Sequence, residues 1–422
     1  MSVGTLIVGA SQAGLQLAVS LRDRGHSGRI TLVGEEPHAP YQRPPLSKAF
    51  LAGELEADSL ALRTPGFYRD AGIDVRYGDR VVDVALSTEG PPGSGFAATS
   101  AGHTLTFDRL ALTVGARPKR LALPGAELDG ICYLRKVDDA VQVRSRLTTA
   151  QNVVVVGGGF IGLEAAAVAR SQGKAVTVVE AADRLIPRAV APVVSDFYRQ
   201  AHIRRGSTVV LAAEVTGFDG RQGRVTGVKL ADGRRLPADL VLVGIGVAPR
   251  TELADQLGLD CDGGILVDAY ARTSEPFVVA AGDCTVLPHP LTGKGMVRLE
   301  SVQNAVSQAK AAASSLLGRL DDTPTVPWFW SDQDNLKLQI AGLSVGFDEY
   351  LVRGEPDSEQ FSVLYYRQGR LLAIDAVNRP ADYMAVRKAL SIGATIPAAP
   401  AANPATTLKS LIVDEVASGM PS

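Results

Sequence analysis

The sequence predicts an α/β protein in which one strand–glycine turn–helix–strand unit occurs twice and a strand-rich α+β region closes the chain. Three observations carry this. The run Thr5-Leu6-Ile7-Val8 leads into a glycine turn from Gly9 to Gly14, a helical stretch from about Gln12 to Gly25, and the apolar run Ile30 to Val33. The same order returns at Val153 to Val156, Gly157 to Gly162, Ile161 to Gly173 and Ala175 to Val179. Near the end, Phe361 to Tyr366 and Leu371 to Val377 flank Gln368-Gly369 as a hairpin, and Ala381 to Leu390 reads as a helix.

Length and composition are compatible with this layout. A chain of 422 residues holds two or three domains at about 100–200 residues each. Hydrophobic residues make up 46% and charged residues 21%, which is globular, and 43 glycines suit a protein rich in tight turns. Lys and Arg number 43 against 45 Asp and Glu, for a net charge of −2. That balance offers no attraction to nucleic acid or to an anionic membrane. The N-terminus shows no cationic region ahead of a long apolar segment, and Leu240 to Ala248 is too short to cross a bilayer, so a cytoplasmic protein without membrane contact is expected. Cys132, Cys261 and Cys284 form no CxxC or metal-ligand pattern. They read as buried small apolar groups, and no metal is expected.

Between these landmarks the sequence suggests strands at Val81 to Leu86 and Leu110 to Val114, separated by a Gly/Pro/Ser-rich surface loop from Glu89 to Ser100. A helix is expected from Pro192 to Arg205, a hairpin at Gly223, and a strand at Leu240 to Val243. Val278 to Asp283 precedes a helix from Ser301 to Leu317, and Thr323 to Pro327 reads as a linker. The Ala/Pro stretch Ala394 to Ala405 is expected to be extended and mobile.

Each glycine turn has the setting of a dinucleotide site. In the first, Gly9-Ala10-Ser11-Gln12-Ala13-Gly14 follows a strand and opens a helix, and Glu35 ends the next strand where a ribose-binding acid belongs. Its place at the start of the chain favours FAD. Ser11 stands where the fingerprint has its second glycine, but it is small and keeps its N–H for the pyrophosphate. The second turn, Gly157-Gly158-Gly159-Phe160-Ile161-Gly162, has all three glycines, and Glu180 closes its following strand. A carboxylate there can accept both ribose hydroxyls and repels a 2′-phosphate, so NAD(H) is expected rather than NADPH.

Taken with Pro40-Tyr41-Gln42-Arg43-Pro44-Pro45-Leu46-Ser47-Lys48, Thr113 to Pro118, Ala281-Gly282-Asp283, Glu300 to Ala305 and Pro327 to Gln333, the chain resembles the oxygenase-coupled NADH–ferredoxin reductases over nearly its whole length. The resemblance implies a glutathione-reductase-like fold with two Rossmann-like domains: an FAD domain at 1–112 and 245–320, an NAD domain at 113–244, and a C-terminal interface domain at 321–422. It implies FAD contacts from Gly9, Ser11, Ala13, Gly14, Glu35, Arg43, Lys48, Val82, Arg117, Asp283, Val302 and Trp330. NAD contacts are implied for Gly157, Gly159, Ile161, Gly162, Glu180, Arg188 and Gly246. Lys48 would favour negative charge on the reduced flavin, with Glu164 as its acidic partner. The plainer reading of Glu164 is a solvated helix carboxylate, and of Arg117 an ordinary surface cation.

The resemblance also implies a partner, a small acidic [2Fe–2S] ferredoxin that passes single electrons to a cytochrome P450 or another oxygenase. From Val286 to Leu320 the bases Lys294, Arg298, Lys310 and Arg319 face the single acid Glu300, an excess that can steer an anionic partner. Lys310, Trp330 and Lys409 are the expected docking residues; the competing reading makes Trp330 a core aromatic and the lysines a solvated face. Two other flavoproteins remain open. Monodehydroascorbate reductase has a similar Pro-Tyr-x-Arg-Pro-x-Leu-Ser-Lys segment, and a redox-sensing or scaffolding flavoprotein shares the fold. Disulphide reductases need a cysteine pair, and their peroxidase relatives one cysteine, where this chain has Tyr41 to Lys48.

Overall fold

The structure, a computed structural model, describes residues 4–321 and 325–414 and clusters into two compact units. Unit 1 takes the described parts of Met1–Gln42, Asp58–Arg117 and Val247–Thr325. Its centre is a five-stranded sheet in the order Val278–Ala280, Arg109–Leu112, Thr5–Val8, Ile30–Val33, Ile73–Arg76. Every pairing is parallel. A parallel sheet is covered on both faces, which is why Thr5–Val8 and Ile30–Val33 are buried at every residue and read as unbroken runs. Leu17 and Leu21 of helix Gln12–Asp23 share one core with Ala309, Ala312 and Ala313 of helix Val302–Leu316. Alanines at that contact let two helices approach closely.

The expected surface loop from Glu89 to Ser100 is corrected in its second half. Gly95–Thr99 is the middle strand of an antiparallel sheet with Val81–Leu86 and Thr104–Phe107. Its composition resembles a loop, yet Ala97 is fully buried between partners on both sides. Pairing, rather than local propensity, makes this strand.

Unit 2 takes the described parts of Arg43–Ala57, Pro118–Gly246 and Val326–Ser422. Residues 43–57 therefore cluster away from the rest of the 1–112 segment in which the sequence reading counted them. A second parallel sheet runs Thr208–Val210, Ala175–Val179, Asn152–Val156, Leu240–Val243, Ile131–Tyr133. A five-stranded antiparallel sheet follows in the order Trp328–Gln333, Leu336–Gly342, Arg370–Val377, Gln360–Arg367, Glu349–Glu355. Helix Pro380–Ser391 covers one face of it through Tyr383, Val386 and Ala389. Phe361, Val363 and Tyr365 enter the same core as Leu163 of helix Phe160–Ser171 and Phe197, Tyr198 and Ala201 of helix Pro192–Arg204.

The Ala/Pro stretch is not extended and mobile. Ala398–Ala401 is a short helix, and the chain around it is held by Arg353, whose side chain is 2% exposed. The Arg353 guanidinium donates to the carbonyls of Ala401, Asn403, Pro404 and Thr406 and is ion-paired to Asp382 at 3.2 Å. Thr323 and Pro324 of the expected linker lie outside the described residues. Among the described residues no helix is long and apolar enough to cross a membrane, and no group of His, Cys, Asp and Glu could hold a metal.

Candidate functional site

In unit 1 the first glycine turn is built against the strand Arg109–Leu112 and the residue after it. The Gly9 N–H donates to the Val33 carbonyl at 2.8 Å, and the Thr113 hydroxyl donates to the Val8 and Gly9 carbonyls at 3.0 and 2.9 Å. Gly9 has φ 115°, and a Cβ there would sit 2.2 Å from the Thr113 carbonyl oxygen. No side chain but hydrogen fits. Gly14 is as tight, with the Gly9 carbonyl 2.1 Å from its Cβ position. Helix Gln12–Asp23 then starts with no side-chain cap from Ser11 and no acid in its first turn. A helix N-terminus of this kind can receive an anion.

Glu35 lies two residues beyond the neighbouring strand Ile30–Val33 and is gripped bidentately by Arg250 at 2.8 and 2.9 Å. Asp283 follows the tight Gly282 turn, whose N–H donates at 2.8 Å to the side-chain carbonyl of Gln308. Asn304 and Thr285 donate to the same oxygen. Ala13, Ala281 and Ala305 pack together around that turn. Two buried atoms on helix Val302–Leu316, Gln303 Oε1 and Gln308 Nε2, have no hydrogen-bond partner within the described protein. Orphaned polar atoms of this kind call for a group that the chain does not itself supply. Val82 is 44% exposed, and Arg117 is exposed and ion-paired with Glu252.

In unit 2 the second turn repeats the first with a different acid. Gly157 has φ 107°, and its Cβ position lies 2.4 Å from the Gly244 carbonyl oxygen; that of Gly162 lies 2.3 Å from the Gly157 carbonyl oxygen. A Cβ at Gly159 would meet nothing within 4 Å, so this glycine leaves room for something other than protein. Glu180 accepts the Gly158 N–H at 2.6 Å and the Ala182 N–H at 2.8 Å. Arg188 is exposed, with its guanidinium 3.7 Å from the Cβ position of Gly246, and Ile161 is exposed at the helix start. The two turns, open helix N-termini and strand-end acids fit FAD and NAD(H).

A buried polar cluster completes unit 2. Glu164, 3% exposed, is ion-paired to Lys48 at 2.7 Å. Its carboxylate also accepts the hydroxyls of Ser47 at 2.5 Å and Ser331 at 2.6 Å. It is not the solvated helix carboxylate of the plainer reading. Phe160 and Glu164 lie one helical turn apart and meet Phe329 and Ser331, which share a face of strand Trp328–Gln333. Trp330 points to the opposite face with Trp328, their ring centroids 5.8 Å apart. Arg43 donates to the Arg135 carbonyl at 2.8 Å.

The expectation of three buried cysteines is corrected at Cys261, which is exposed; Cys132 and Cys284 are buried. Desolvation pushes the thiols of Cys132 and Cys261 up to about 11 and that of Cys284 up to about 12. None is an activated thiolate. Arg250, Thr113, Gln303, Gln308 and Ser331 were not singled out from the sequence. Gln303, Thr113 and Ser331 stood inside segments already quoted, whereas Arg250 carried no local signal.

Two dinucleotide turns, each with its own acid and its own parallel sheet, define a flavin- and pyridine-nucleotide-dependent oxidoreductase. The chain belongs to the pyridine nucleotide-disulphide oxidoreductase family, which matches residues 4–309, and carries a reductase C-terminal domain at 328–412. It is 46% identical to rhodocoxin reductase of Rhodococcus erythropolis, over 92% of this chain and 89% of that protein. Among solved structures, the ferredoxin reductase of the CYP199A2 system from Rhodopseudomonas palustris is 40% identical, with a TM-score of 0.92 over 97% of this chain and all of that one. A covalent putidaredoxin reductase–putidaredoxin complex is 38% identical, with a TM-score of 0.92 over 97% of each chain.

Proposed function

We propose that this chain is an FAD-dependent NADH–ferredoxin reductase that passes electrons singly to a [2Fe–2S] ferredoxin serving a cytochrome P450 or another oxygenase, in the cytoplasm. The observation that carries the reading is the Lys48–Glu164 pair, whose lysine stands in the segment where a thiol-dependent relative needs its cysteine. Bound FAD supplies the chemistry that takes a hydride from NADH and releases electrons one at a time. The chain's own part is binding, orientation and electrostatics. Gly9 to Gly14 and Gly157 to Gly162 receive the two pyrophosphates, Glu35 and Glu180 take the ribose hydroxyls, and Asp283 takes the ribitol hydroxyls. Lys48 favours the negative charge that reduction places on the flavin, and Glu164 holds the ammonium in position. Removing either partner leaves the other without its counter-ion, at a local cost of about 3–5 kcal/mol.

Lys310 and Lys409 are both exposed, so each offers a cation to an acidic partner, and Trp330 is assigned to the flavin. The test is a reductase assay against a panel of [2Fe–2S] ferredoxins and against monodehydroascorbate. Turnover with a ferredoxin, and a raised KM with a flatter salt dependence in Lys310→Glu/Lys409→Glu, is the expected result, with NADH–ferricyanide turnover unchanged. Faster turnover with monodehydroascorbate, or equal losses with both acceptors in the double variant, would overturn it.

A further inference from the structure

The polar cluster does not end at Ser331. Gln333 lies two residues on, on the same face of the strand, and its amide N–H donates to the Ser331 hydroxyl oxygen at 3.3 Å. The Gln333 side-chain carbonyl in turn accepts from His202 Nε2 at 2.9 Å, and His202 sits on helix Pro192–Arg204. Gln333 is 1% exposed, Ser331 is fully buried and His202 is 3% exposed. One side of a strand thus meets two helices in succession: Ser331 reaches Glu164, and Gln333 reaches His202.

The donors in this line all point the same way. A serine hydroxyl has one proton, and it can turn toward Gln333 or toward Glu164. An amide N–H directed into the Ser331 oxygen obliges that proton to face Glu164. An amide can also present its carbonyl instead, and the N–H of His202 selects the orientation by occupying the Gln333 oxygen. Burial lowers the His202 pKa, which keeps the ring neutral with one donor and one acceptor nitrogen. Each group therefore fixes the polarity of the next, and the sum falls on a carboxylate 3% exposed to solvent.

We propose that Gln333 and His202 are positioning residues for the Lys48–Glu164 pair: they aim the Ser331 proton at Glu164, so that Lys48 stays fixed and charged toward the flavin. This rests on the role given to Lys48 in the proposed function. Without the line, Gln333 can rotate its carbonyl toward Ser331, whose hydroxyl then leaves Glu164 one donor short. The unbalanced carboxylate draws harder on Lys48, and less positive potential remains for the reduced cofactor.

The experiment measures the midpoint potential of the bound flavin in the holoenzyme, beside its melting temperature, for Lys48→Met, Gln333→Leu, His202→Leu and His202→Gln. Lys48→Met should shift the reduction equilibrium toward the oxidised form. His202→Leu, which frees the Gln333 amide to turn its carbonyl toward Ser331, should shift it the same way by roughly tenfold, which is about 30 mV for a two-electron couple. Gln333→Leu removes the competing carbonyl and should leave the potential at that of the wild type, as should His202→Leu/Gln333→Leu. Adding His202→Leu to Lys48→Met should bring no further shift, because the line acts through the lysine. His202→Gln restores an N–H donor and should return the potential to that of the wild type. A lowered melting temperature with an unshifted potential in His202→Leu makes the line structural only and overturns the proposal, as does a shift that adds in full to that of Lys48→Met. If His202→Leu does not yield loaded protein, His202→Phe decides in its place. An unshifted potential in Lys48→Met overturns the reading of the lysine itself, whereas a shift there without one in His202→Leu overturns the positioning line alone.

Discussion

The two glycine turns share a backbone and differ in what holds their acids. Gly9 and Gly157 have φ of 115° and 107°, and in both a Cβ would strike a carbonyl of the adjoining strand end. Glu35, however, is gripped by a side chain, Arg250, whereas Glu180 is gripped by the N–H groups of Gly158 and Ala182. In the second turn the acid is therefore tied to the glycine loop itself. In the first turn the acid belongs to a salt bridge between residues 215 apart. A change at Glu180 is expected to alter the glycine loop together with the proposed ribose contact, while a change at Glu35 is expected to act first on its pair with Arg250.

The largest expected effects break what the turns have in common. Gly9→Ala and Gly157→Ala each force a methyl against a carbonyl at a positive φ, at about 3–5 kcal/mol from strain and overpacking together. Gly9→Ala should yield protein without flavin absorbance and with a lowered melting temperature. Gly157→Ala should keep its flavin and lose NADH-driven reduction. Loss of flavin from both, or from neither, would show that the turns do not divide the cofactors as proposed.

Glu180→Gln and Glu35→Gln test the difference between the acids. Losing the charge-assisted bond to the Gly158 N–H should cost NADH about 1–2 kcal/mol, read as a roughly tenfold lower kcat/KM. Glu180→Arg should in addition erode the preference for NADH over NADPH, and a wild type that prefers NADPH would sink the assignment. Glu35→Gln should leave both coenzyme ratios unchanged and speed FAD dissociation, measured by dilution. The smallest effects belong to the middle positions. Ser11→Gly and Gly159→Ser should each move stability by less than about 0.5 kcal/mol, because no protein atom lies near the Gly159 Cβ position. A lost NADH response in Gly159→Ser would mean that the second turn, unlike the first, cannot take a serine.

Much of this comparison was legible in the sequence because both turns are local. Strand, glycines, helix and acid fall within a short stretch of chain, and fully buried parallel strands write themselves as apolar runs such as Thr5–Val8 and Leu240–Val243. What stayed hidden depends on partners far along the chain. The Gly95–Thr99 strand owes its existence to neighbours on both edges, and Arg250 shows no pattern that announces Glu35. Glu164 was legible as the partner of Lys48 only by likeness to other chains. Its three donors, from Lys48, Ser47 and Ser331, come from two separate stretches of sequence.

The Arg353 clamp has a practical reach of its own. A stretch made mostly of alanine and proline has almost no means of holding itself, and here one guanidinium holds four of its carbonyls. Those carbonyls belong to backbone, so the residues of 401–406 can drift in identity without loosening the grip, whereas shortening the segment strands a cation that is 2% exposed. For anyone building a self-sufficient electron-transfer chimera from this protein, the place to graft a linker is accordingly downstream of Val413, which is still bridged to Thr395. A junction only ten residues earlier would unseat the anchor and leave the fusion with a loose end, however well its two halves fold.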